Sequence, residues 1–86
     1  MNQGIHFPDL VEWQADQQRV CFPAQQMGAL ITCYMSLHQL EALTGLPLAG
    51  QEDALRAFES MRFDIEELVE KRIDEQRFAE DGAIYL

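Results

Sequence analysis

Apolar residues alternate along Val20, Phe22 and Ala24, and again along Ile31, Cys33 and Met35. Strict alternation of this kind marks a strand with one buried face. Met27 and Gly28 separate the two runs. A two-residue turn there pairs Ala24 with Ile31, Phe22 with Cys33 and Val20 with Met35, so one face of the ribbon is wholly apolar and the register is set. The strands are predicted over Arg19 to Gln25 and Ala29 to Met35. Pro23 cannot donate to the ladder, which puts its nitrogen at a non-bonded position or on an edge. Upstream, Ile5-His6-Phe7 reads as a short edge strand that Pro8 ends. Trp13 stands in a polar stretch and is expected to cover one end of the sheet.

After the ribbon the period becomes helical. Ser36-Leu37-His38-Gln39 is a capping box, and Leu37, Leu40 and Leu43 follow at helical spacing. Gly45 is predicted to end this helix, and Pro47 blocks its continuation. A second helix is predicted from Gln51 to Met61, with Ala54, Leu55, Phe58 and Met61 as its apolar stripe. Arg62-Phe63 interrupts the stripe. Asp64 is expected to cap a third helix, with Ile65, Leu68, Val69, Arg72 and Ile73 facing inward. Phe78 is expected under the turn signalled by Asp81-Gly82, and Ala83 to Leu86 returns to the sheet as a terminal strand. The predicted fold is α+β: an antiparallel β-meander of three to four short strands with three helices packed on one face. Residues 1–86 are read as a single domain.

Charge narrows the range of partners. Fifteen Asp and Glu against six Lys and Arg give a net charge of −9. Most of the acids fall after Gln51. Phosphate neutralisation needs clustered Lys and Arg, which this chain lacks, so nucleic acid is not an expected partner. An anionic membrane surface would repel the acidic half. The longest nearly apolar stretch, Met27 to Leu37, is about half the roughly 20 residues a membrane helix requires. The amino-terminal residues Met1 to His6 have neither the charged start nor the apolar run of a signal peptide. The expected location is the cytoplasm.

The two cysteines are no disulfide framework. In the register above, Cys21 and Cys33 point to opposite faces and cannot bridge. A three-residue loop would place them opposite each other, but it would break the pairing of the apolar faces. Free thiols suit a reducing compartment.

Candidate chemistry is sparse. Cys33 reads as a small core residue opposite Phe22; as a nucleophile it would need His38 or a helix end to activate it. Cys21, on the other face beside Tyr34, is the more reachable thiol. The histidines and cysteines show no metal-ligand spacing, and no cofactor motif occurs, so no metal or cofactor is expected. Arg62 sits between two helices in an acidic half. It reads as an ion pair fixing that corner or as an anchor for an anionic ligand or a partner carboxylate. Trp13 reads as core or as an exposed stacking platform. Arg62, Trp13 and Cys21 are therefore the candidate interaction residues.

Several clusters together resemble a known family. They are Ile5-His6-Phe7-Pro8-Asp9, Trp13, Val20-Cys21-Phe22-Pro23-Ala24, Gly28, Cys33, Ser36 and Leu40. Phe58, Arg62-Phe63-Asp64-Ile65-Glu66-Glu67 and the closing Asp81-Gly82 strand complete the pattern. In order and spacing they resemble the small bacterial family catalogued as domain of unknown function 1488. The resemblance spans nearly the whole chain. It implies a compact α+β domain from a Gram-negative bacterium and no particular activity. The family often has Asn-Gly at the hairpin turn and Trp in the Arg-x-Asp segment. Met27-Gly28 and Phe63 stand there in this chain, and Met adopts positive φ poorly.

The function expected is that of a small non-enzymatic interaction or accessory protein that binds another protein. The alternative is a small cysteine-dependent hydrolase or redox enzyme using Cys21 or Cys33. A first or last strand with an open edge would also allow a homodimer.

Overall fold

A computed structural model describes residues 4–86. Met1 to Gln3, part of the stretch read against a signal peptide, lie outside the described residues. The elements run β1 (Ile5–His6), β2 (Glu12–Gln14), β3 (Arg19–Gln26), β4 (Ala29–Ser36), α1 (Leu37–Thr44), α2 (Gly50–Ser60), α3 (Arg62–Asp74) and β5 (Ile84–Tyr85). The architecture is α+β.

The central ribbon has the register that the alternation predicts. Val20 pairs with Met35, Phe22 with Cys33 and Ala24 with Ile31. Met27 and Gly28 both take positive φ, 52° and 83°. That is the twist a two-residue hairpin requires, so the turn forms despite the poor intrinsic preference of Met for it.

The sheet differs from a pure meander at both sides. β1 and β2 each pair antiparallel with β3, at its end and its beginning respectively. Trp13, expected to cover one end of the sheet, is thus itself a strand residue opposite Val20. β5 pairs parallel with β4, Ile84 beside Cys33 and Tyr85 beside Tyr34, which makes a mixed sheet of five strands. The parallel pairing follows from the route of the chain. The three helices carry it back to the starting end of the sheet, so the last strand runs alongside β4.

The helices begin and end largely where their caps dictate. The Ser36 hydroxyl accepts from the Gln39 N–H at 3.0 Å. Gly45 ends α1 with φ 74°, and its N–H donates to the Glu41 carbonyl. Glu41 also accepts from the Leu48 N–H at 2.9 Å, which pins the linker to α2. Asp64 does not cap α3 as expected. Only Met61 separates α2 from α3, and its carbonyl already accepts from the Ile65 N–H, so the helix starts before Asp64 is reached.

One face of the sheet meets the helices. Val20, Phe22, Ala24, Cys33, Met35 and Ile84 pack against Leu40, Ala54, Phe58, Ile65, Val69 and Ile73. The Phe22 and Phe58 rings lie 4.9 Å apart at 57°, a favourable tilted geometry. Leu68, expected inward, is exposed because the inward stripe of α3 is narrow: Ile65, Val69 and Ile73. Phe78 is also exposed, in a segment that follows the end of α3.

Candidate interaction face

The opposite face of the sheet bears no helix. Its side chains follow from period two: Glu12 and Gln14 on β2, Arg19, Cys21, Pro23 and Gln25 on β3, Leu30, Thr32, Tyr34 and Ser36 on β4, and Tyr85 on β5. From Val20 to Leu37 the chain has no charged side chain. The outward positions of these strands, with Asp81 beside them, therefore hold one base, Arg19, and two acids. They account for −1 of the chain's −9.

Two hollows cross this face and meet at Thr32. One, of about 330 Å³, lies among Leu10, Val11, Glu12, Cys21, Pro23 and Thr32. The other, of about 190 Å³, lies among Leu30, Thr32, Tyr34 and the Asp81 turn. Leu10 is 64% exposed, Leu30 68%, Val11 41% and Tyr85 43%.

A stacked cluster forms one end of the face. The Arg19 guanidinium lies 3.9 Å from the Tyr34 ring centre, and the Tyr34 and Tyr85 rings stack 4.8 Å apart at 23°. The Arg19 Nε donates to the Gln14 side chain at 2.6 Å. The Tyr85 hydroxyl donates to Asp81 at 2.7 Å, and Asp81 also accepts from the Ala83 N–H. The Ala83 N–H, with the Tyr85 hydroxyl, holds the Asp81 carboxyl below its ordinary range. The same hydrogen bond to Asp81 keeps the Tyr85 phenol protonated to a higher pH. These contacts hold the charged groups of the face against neighbours within the chain.

The three candidate residues separate. Cys21 is on this face, half-buried in the wall of the larger hollow. Burial and then the Glu12 carboxylate push its thiol up, against the opposing pull of Arg19. Trp13 lies on the other side of the sheet, opposite Val20 and packed against the core. Arg62 lies in the helical layer, and its guanidinium is spent within the chain. Nε donates to Glu66 at 2.9 Å, one terminal nitrogen meets Asp9 at 3.5 Å and Glu59 at 3.8 Å, and the other donates to the Pro8 carbonyl at 3.1 Å. The ion-pair reading of Arg62 is the one this geometry matches. Cys33 is fully buried, and burial pushes its thiol up to about 12.

Among the described residues no group of three or more His, Cys, Asp or Glu side chains is placed to hold a metal ion. No helix among them is long and apolar enough to cross a membrane. The Tyr34–Tyr85–Asp81 cluster and the Leu10-Val11 rim went unread in the sequence. Tyr34 was already on the outer side by register, and Asp81 and Tyr85 are four apart. Only the parallel docking of β5 brings them together.

The comparisons with known proteins agree on one family. A family model described as a protein of unknown function (DUF1488) matches residues 5–86. The chain is 39% identical to "Uncharacterized protein YrdB" of Escherichia coli (strain K12), over 100% of this chain and 99% of that protein. It is 38% identical to the protein of the same name from Shigella flexneri, with the same coverage. A crystal structure of a DUF1488-family protein of unknown function from Shewanella loihica PV-4 superposes with a TM-score of 0.92 at 40% identity, covering 100% of this chain and 94% of that one. With its register, its helical layer and nearly its whole length accounted for, the chain belongs to the DUF1488 family.

Proposed function

We propose that this chain is a non-catalytic protein-binding module that uses the outer face of its sheet, in a reducing, cytoplasmic setting. The observation that supports the reading is a sheet face left bare of helices, apolar at Leu10, Val11, Leu30 and Tyr85, in a chain otherwise dominated by acids. A contiguous apolar area rimmed by polar groups is how a soluble domain offers a docking surface. The two thiols favour binding over catalysis. Both are held protonated, Cys33 up to about 12, and a nucleophilic cysteine requires the opposite shift. They lie on opposite faces, which suits a compartment that keeps thiols reduced.

The test is a photo-crosslinking amino acid placed at Leu30 and, separately, at Glu67 on the exposed side of α3, in the full chain in native cells. Protein adducts should form from position 30 and be at least tenfold fewer from position 67. Equal yields from both positions, or none from position 30, would sink the reading.

A further inference from the structure

We infer that the occupant of the outer sheet face is a second copy of this chain, docked sheet against sheet with the helices on the outside. The inference rests on the binding-module reading and adds the identity of the partner.

Charge selects this arrangement. Two copies each carrying −9 repel wherever their acidic surfaces meet. The helical layer is such a surface. Of its exposed apolar residues, Phe63 and Leu68 stand among Asp64, Glu66, Glu67 and Glu70, and Leu46 lies in a groove beside Asp53 and Arg56. The outer sheet face, at about −1, is where two copies approach with the acidic layers farthest apart. It also bears both signs, Arg19 against Glu12 and Asp81, so a two-fold axis can set opposite charges across from each other twice.

Size makes the pairing a weak one. β3 and β4 are eight residues each, while β1, β2 and β5 add two, three and two, 23 strand residues in all. At about 3.3 Å per residue and about 4.8 Å between strands, the strands of each copy offer roughly 360 Å², so a pair covers on the order of 700 Å², the range of a transient contact. Face-to-face sheets pack about 10 Å apart with strands near −30°, and the side chains of Leu10, Leu30, Thr32 and Tyr85 are those such packing would interleave.

Sedimentation of the full chain over a micromolar-to-millimolar series tests this. The expected mass is twice the 9.9 kDa chain. Leu30→Asp and Thr32→Arg, both at exposed positions, should each raise the dissociation constant about tenfold or more. Phe63→Asp should leave it unchanged. Added salt should tighten the dimer by screening its like-charged halves. A monomer throughout the series overturns the inference, and so does a dimer that Phe63→Asp breaks and Leu30→Asp does not. A monomer whose position-30 crosslinker still captures other proteins removes the second copy and leaves the module standing. A face that neither self-associates nor crosslinks removes both.

Discussion

The two faces of this sheet are built from alternate residues of the same strands, yet they obey different rules. The inner face is closed: Val20, Ala24, Cys33 and Ile84 have no solvent exposure, and each meets the helical layer. The outer face carries Arg19 and Glu12, with Asp81 beside them, for a net charge of about −1, and has no cover. Burial explains the first composition, since an unpaired charge under the helices would be expelled. Folding alone does not require the second. The difference teaches that a strand carries two messages, one to its own core and one outward, and that they can be read separately.

The sharpest way to test that separation is to damage each face in turn. Phe58→Ala empties the ring that packs on Phe22 and should destabilise the fold by about 3–5 kcal/mol in urea denaturation. Failure to lose at least about 2 kcal/mol would mean that the inner face is not the seat of stability.

The thiols provide the next contrast. Cys33 ionises at about 12 in the fold against an ordinary 9.0. Above pH 9 the unfolded chain loses this proton and the folded chain keeps it. Stability from this group is therefore complete below pH 9 and declines as pH rises toward 12, by up to about 1.4 kcal/mol per pH unit. Cys33→Ala should abolish most of that decline. A thiol reagent at neutral pH should modify Cys33 only through unfolding. A folded protein whose Cys33 labels as fast as Cys21 would contradict the closed inner face.

The smallest effect belongs to the outer face. At dilutions where the chain is monomeric, Leu30→Asp should change unfolding free energy by less than about 0.5 kcal/mol, as exposed substitutions do. A loss comparable to that of Phe58→Ala would erase the distinction between the faces.

The sequence makes the inner face legible and the outer face only in part. Val20, Phe22, Ala24, Ile31, Cys33 and Met35 announce their pairing because period two and one turn leave a single consistent register. Ser36 and Gly45 announce the bounds of α1 because their chemistry is local. β2 escapes detection because Glu12 and Gln14 face outward and leave Trp13 as its one apolar signal. The start of α3 is misjudged because Asp64 is a good cap by type, while the near-continuity with α2 overrides it. The Tyr34–Tyr85 stack requires the parallel return of β5, a tertiary fact with no local signature. Arg62 is visible as a base between two helices in an acidic half, but its partner carbonyl at Pro8 is 54 residues away.

That long-distance clamp has a mechanical consequence. The segment carrying Leu10 and Val11 is one bank of the outer hollow, yet its neighbours Pro8 and Asp9 are moored to the α2–α3 corner on the far side of the sheet. The shape of the exposed bank is thus set from behind. Any loosening where α2 turns into α3 slackens the mooring and redraws the surface that a visitor would meet.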